Sequence, residues 1–249
     1  MDIKIKLLLI TLILLLAGCQ KDDLTLPVRV SLKISIFSDY RMDFNFTEGQ
    51  ISIKRIEFEG IREAGGNVFF ETEPDINFPA LEFGQQPEII SDFDIPQGIY
   101  NHMRWDIYLK KIVTDELIDD NVTDSLNTGL VIKGHYDTWA YDDWDFELIR
   151  LDSIPFIFAM DDTEQFGVRS CDVYNNSTIV FSESKDYEAI LWLNLSYAFG
   201  SISSVSFMEA EISGDSEHPV VIISSSKNKD LYMIILDRIF RNAKVIINN

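Results

Sequence analysis

The chain is poor in cysteine, histidine and positive charge. Its 249 residues include two cysteines and three histidines, and 21 lysines and arginines stand against 41 aspartates and glutamates. Two cysteines cannot build a disulfide framework. His102, His135 and His218 are scattered, and none has a second histidine or a cysteine at the spacing a zinc site requires. A formal charge of −20 makes nucleic acid and anionic lipid surfaces poor partners. The most apolar run, Leu7–Leu16, is half the roughly 20 residues that a membrane-crossing helix needs. No segment repeats at a fixed period, which excludes solenoids and propellers. There is no Gly-x-Ser-x-Gly elbow, no phosphate loop and no dinucleotide fingerprint, so no hydrolase or nucleotide chemistry is announced by motif.

What is present begins at the N-terminus. Lys4 and Lys6 precede the Leu7–Leu16 run, and the small residues Ala17 and Gly18 follow it. A charged start, a short apolar stretch and a small-residue cleavage site define a secretory signal peptide. The order Leu16-Ala17-Gly18-Cys19 resembles the lipobox of bacterial lipoproteins. The resemblance implies cleavage before Cys19 and a diacylglycerol and palmitate anchor on it. Several acyl chains on one residue give lasting membrane attachment, since each buried CH₂ adds about 0.8 kcal/mol. Residues 1–18 are therefore expected as a leader and 19–27 as a lipidated tether. Within the tether, Gln20, Lys21, Asp22 and Asp23 resemble the surface-export signal of Bacteroidota lipoproteins. That implies display on the outer face of the outer membrane.

The remaining body, about 230 residues, is large enough for one big domain or two small ones. With 46% hydrophobic and 12% aromatic residues in the chain it can bury a core. Val28 to Ile36 alternates apolar and polar side chains, as does Ile51 to Phe58, which predicts half-buried strands. Gly65-Gly66-Asn67 predicts a hairpin turn before Val68-Phe69-Phe70. Residues 73–94 read as an irregular excursion and 114–129 as an acidic loop. Further strands are expected around Trp105, at 130–132, 154–158, 178–181, 187–195 and 220–223. One long helix is expected near the end, capped by Asn228, with Asp230 in its first turn and Arg238, Arg241 and Lys244 in its last. Leu231, Ile235 and Ile239 share its apolar face, which suits packing on a sheet, and Val245–Ile247 reads as a last short strand. The pattern predicts a mainly β protein, a β-sandwich with a C-terminal helix packed on the sheet. A first unit at 28–150 and a second β-rich half at 151–249 are expected, or one continuous domain.

The stretch from Val28 to about Lys111 resembles a family of uncharacterised β-sandwich domains common in Bacteroidota lipoproteins. Its most specific part is Ile95-Pro96-Gln97-Gly98-Ile99-Tyr100, similar to that family's Leu-Pro-x-Gly-x-Tyr turn. The resemblance implies a carbohydrate-binding-like, Ig-like or transthyretin-like sandwich and supplies no catalytic residues.

The densest aromatic and acidic cluster runs from His135 to Glu147. Trp139, Tyr141, Asp142, Asp143, Trp144 and Asp145 are the candidate ligand-binding residues. Rings pack on the C–H faces of a sugar while carboxylates accept from its hydroxyls; the competing reading is a strand with core aromatics and solvated acids. Asp119-Asp120-Asn121-Val122-Thr123-Asp124 and the acids at 142–145 offer oxygens to calcium, but the first lacks the glycine and terminal glutamate of an EF-hand loop. No metal or other cofactor is therefore expected. Ser125 and Ser153 each follow an aspartate and precede an apolar residue, which resembles the O-glycosylation sites of exported Bacteroidota proteins. Cys171 has no matching histidine signature and is expected to be structural. The leading expectation is a non-enzymatic, surface-displayed lipoprotein that binds a glycan or an envelope protein. The alternatives are a pilus or adhesin component, and a glycan hydrolase, for which the abundance of acids is no argument.

Overall fold

A computed structural model describes residues 25–38, 43–74, 76–81, 87–112, 127–141, 148–182, 185–200, 202–214 and 218–249. The chain is mainly β, a large mixed sheet with a few helices. β1 (Pro27–Phe37) forms where alternation predicts it, with Val28, Val30, Leu32, Ile34 and Ile36 buried. β2 (Phe44–Arg62) overruns the expected strand at both ends, and β3 (Val68–Thr72) returns beside it. The expected excursion at 73–94 is corrected: it holds β4 (Ile76–Leu81) and most of β5 (Glu88–Pro96). Among the described residues, β5 ends the sheet and pairs only with β1. Charges guard such edges against unwanted pairing, and Asp92 and Asp94 gave β5 the composition of a loop. Asp92 accepts from Arg29 at 2.9 Å and from Ser31.

The other strands are β6 (Gly98–Leu109), β7 (Thr128–Tyr141), β8 (Leu148–Asp161), β9 (Gln165–Asp172), β10 (Ile179–Phe181), β11 (Tyr187–Asn194), β12 (Ile212–Ser213), β13 (Val220–Ile223) and β14 (Lys244–Asn248). Their hydrogen-bonded order is β12-β13-β8-β7-β2-β6-β9-β14-β11-β1-β5, with β3 and β4 on β2 and β10 on β6. Ladders join β1 to β11 and β6 to β9, and β8 runs through position 150.

The register makes β2 the spine. Ile51 pairs with Leu130 of β7 and Phe78 of β4, while Ile53 pairs with Leu109 of β6 and Ile76 of β4. A strand residue has one partner on each edge. Hence β6 and β7 lie end to end along one edge of β2, and β4 and β3 along the other. The far arm of the sheet then curls back. Phe93 of β5 stands 4.4 Å from Phe70 of β3 and 5.6 Å from Trp105 of β6, strands it does not hydrogen-bond.

A second apolar centre lies at the opposite end of β2. Phe44, Phe46, Tyr136 and Phe156 meet Phe199 of α1 (Leu195–Phe199) and Phe207 of α2 (Ser204–Met208). The two short helices were not anticipated. Their caps are nonetheless readable: Asn194 accepts from the Tyr197 amide, and Ser203 from the Ser206 amide. α3 (Lys229–Asn242) buries Leu231, Tyr232, Ile235, Leu236 and Ile239. Its Tyr232 ring stacks on Phe158 at 5.8 Å. Two details differ from expectation. Lys244 belongs to β14, because the chain straightens at Ala243. Asn228 occupies the cap position but makes no side-chain cap bond. No helix among the described residues is long and apolar enough to cross a membrane.

Candidate functional site

Of the expected binding residues, Trp139 and Tyr141 sit at the end of β7, past the start of β2. Tyr136 faces Phe44, and the Asp137 amide donates to the Asp43 carbonyl at 2.7 Å. Trp139 is half-buried and pairs in register with Arg150, and Tyr141 pairs with Leu148. The ladder shifts between Thr138 and Trp139, where β8 carries one extra residue, Leu151. Asp142, Asp143, Trp144 and Asp145 lie outside the described residues, as do Ser125 and the acids at 119–124. Ser153 lies in β8 and donates its hydroxyl to Asp137 Oδ1 at 2.7 Å. His135 lies in β7, His102 in β6, and His218 just before β13.

Beside this end a cleft of about 380 Å³ opens between the end of α2 and the start of α3. Ser206, Glu209, Lys229, Asp230 and Ile234 line it, a mixture of hydroxyl, both charge signs and apolar surface. That lining suits a neutral hydroxylated group better than an anion, since Glu209 and Asp230 offset the positive end of α3. Val205, Met208 and Met233 lie exposed on the same helices.

Asn228 forms the floor of the cleft. Its side-chain nitrogen donates to the carbonyls of Glu211 at 3.0 Å and Ile222 at 2.8 Å, and its oxygen accepts from the Glu211 amide at 2.7 Å. Its backbone is left-handed, φ 49°, which asparagine tolerates better than most residues. The amide therefore ties β13 and the approach to β12 to the start of α3, a role that sequence alone assigned to helix capping. Asn228→Ala should lower stability by about 2–4 kcal/mol, from three lost hydrogen bonds plus backbone strain. Asn228→Gly, which keeps the backbone freedom, should lose about half of that. Urea unfolding of both variants checks the difference.

The other end of β2 is built around the Pro96–Tyr100 turn. Gly98 has φ +139°, where a side chain would be strained. Tyr100 is fully buried, donates its hydroxyl to the Pro96 carbonyl at 2.7 Å, and sets its ring edge-on to Phe181 at 5.3 Å. Burial pushes its phenol up to about 12, a rise partly offset by Arg62. Gly60 makes room for the ring, since a Cβ there would stand 2.7 Å from Tyr100 Cε1. Arg62 donates to the carbonyls of Gly65, Gly66 and Gln97, which locks the two turns together.

Cys171 is buried in β9, and burial pushes its thiol up, away from the reactive thiolate. Among the described residues no three histidine, cysteine, aspartate or glutamate side chains gather to hold a metal. Cys19, Gln20, Lys21, Asp22 and Asp23 lie outside the described residues. Comparison with protein-family models, with curated proteins and with solved structures finds no match to this chain, so the site is read from its own residues.

Proposed function

We propose that the chain is a lipid-anchored protein of the bacterial cell envelope. Its body, displayed on the outer face of the outer membrane, binds a glycan or a partner protein without catalysing a reaction. The observation that carries this reading is Leu16-Ala17-Gly18-Cys19 placed directly after the Leu7–Leu16 run. Two features of the body support the binding role. Trp139 and Tyr141 at the end of β7 and the mixed cleft beside α3 lie near the start of β2, whereas the chain enters at Thr25–Leu26 beside the opposite end. The rings of β5 meeting those of β3 and β6 support reading the body as a sandwich of the family that the Ile95–Tyr100 turn resembles.

The anchor is tested by growing cells that express the full chain with an alkyne-tagged fatty acid. The wild-type chain should carry the label and, by intact mass, begin at acylated Cys19; Cys19→Ala should carry none. An unlabelled wild-type chain, or one starting elsewhere, overturns the anchor. Replacing Lys21, Asp22 and Asp23 by alanine should abolish cleavage by protease added to intact cells, and unchanged cleavage removes the outward-facing assignment. A glycan array and an outer-membrane pull-down with the mature chain test the ligand, and silence in both counts against the binding role.

A further inference from the structure

Among the described residues, the turn-bearing end of the sheet carries an exposed apolar rim. Ile99 of β6 and Val180 of β10 are cross-strand partners on the outer face and are 38% and 59% exposed. On neighbouring strands, Ile61 of β2 is 39% exposed and Phe69 of β3 is 67% exposed. Phe69 faces Glu59, which lies two residues before Ile61 and so on the same side of β2. Past β9, the turn at 172–176 presents Tyr174, 84% exposed. That turn is held firmly: the Asp172 carboxylate accepts from the amides of Tyr174 and Asn176 and from the Asn176 side chain, all within 2.9 Å. Isolated exposed apolar residues need no explanation, but a gathered set marks a contact surface.

The chain enters the body at this same rim. The Leu26 carbonyl accepts from the Gln97 amide at 2.9 Å, two residues before Ile99. Cys19 lies seven positions before Leu26, a span of at most about 25 Å even when fully extended. β2, by contrast, runs for 19 residues, about 60 Å if straight. An acylated Cys19 thus holds the rim near the bilayer and leaves room for the α2–α3 cleft and the end of β7 to stand away from it. The local charge is mixed rather than basic: Arg62 is committed to three carbonyls, Arg104 pairs with Asp106, and the exposed Glu59 and Glu63 offset Arg104 and Arg169. Contact here is apolar rather than electrostatic.

From this we infer that the rim formed by Phe69, Ile61, Ile99, Val180 and Tyr174 seats on the surface of a zwitterionic phospholipid bilayer. The seat orients the body with its cleft and the end of β7 outward. The inference rests on the lipid anchor of the preceding section, and the test separates the two. The full acylated chain is reconstituted on phosphatidylcholine vesicles. In a parallel arm, the mature chain carrying Cys171→Ser is coupled through Cys19 to a maleimide phospholipid on the same vesicles. Amide hydrogen exchange is compared with that of the unanchored mature chain. Exchange at 63–67, 97–99 and 173–178 should slow about threefold or more, with no change at 203–210. The protection should survive high salt, gain nothing from added anionic lipid, and vanish in Phe69→Asp/Val180→Asp, whose side chains are too exposed to support the core. If Cys19 proves unmodified in cells, the anchor falls while the maleimide arm still decides the rim. Unchanged exchange in that arm overturns the seat. So does protection that grows with concentration in the unanchored chain, which would make the rim a contact between copies.

Discussion

Trp105→Ala is expected to lower the free energy of unfolding by about 3–5 kcal/mol. Met103, Trp105, Ile107 and Leu109 alternate on the buried side of β6, and Trp105 is 1% exposed. Its ring lies 4.6 Å from Phe58 of β2, 6.2 Å from Phe70 of β3 and 5.6 Å from Phe93 of β5. β5 leads into β6 through the Pro96–Tyr100 turn, and the curl of the sheet lays Phe93 against the rings of β3 and β6, so the Trp105 side chain fills the space between arms that no ladder among the described residues joins. Truncation also orphans Ser170, whose hydroxyl accepts from the indole Nε1 at 2.7 Å. Domains have roughly 5–15 kcal/mol of stability in total, so the loss brings the variant close to unfolding. Urea denaturation measures it. Trp105→Phe should recover most of the packing and lack only the hydrogen bond, about 1–2 kcal/mol. Phe69→Ala, on the exposed rim, should be near neutral. If Trp105→Ala shifted the midpoint no further than Phe69→Ala, the two arms of the sheet would not meet as described.

Gly134→Ala should be as damaging through the opposite fault, an excess of volume. Gly134 of β7 lies between Phe46 of β2 and Phe156 of β8 in register. A Cβ there would stand 2.4 Å from the Asn45 carbonyl oxygen and 2.8 Å from Phe156 Cζ. The ring can turn, but the carbonyl belongs to a paired strand and moves only if the β2–β7 ladder opens. A cost of about 3 kcal/mol is expected, at the upper end for overpacking, with loss of soluble protein on expression. Gly66→Ala is the control. A Cβ there meets nothing within 4 Å, and its φ of +83° imposes only about 1–2 kcal/mol of backbone strain. Thermal unfolding should place Gly134→Ala well below Gly66→Ala, and the reverse order would remove the close approach of β2 and β7.

Alternation was legible where one face of a strand is buried and the other wet, as in β1. It failed where that condition fails. Gly49 to Ile53 are five successive buried residues, so the polar positions Gln50 and Ser52 do not mark a wet face in the middle of β2. β5 was hidden by its acids, and α1 and α2 by their brevity, since five residues are too few for a helical period to show. At the candidate site, Trp139 lies in β7, but the α2–α3 cleft unites residues from 206 to 234 across two helices, a juxtaposition no local pattern encodes. Asn228 shows the same limit: a good capping residue in the right place was recruited to a left-handed turn and three tertiary hydrogen bonds.

By itself the sequence determined the acidic surface, the strand-dominated body, the late helix and the order of residues around Cys19 on which the anchor proposal rests. These follow from local chemistry: charge count, period, capping and the length of an apolar run. Strand order, the curl that brings β5 over β6, and the gathering of Ile61, Phe69, Ile99, Tyr174 and Val180 at one rim were decided by tertiary structure. The physical reason is that a strand residue's exposure depends on which strand lies beside it and what covers its face. Both are supplied by segments more than a hundred residues away, as when Val30 of β1 pairs with Tyr187 of β11.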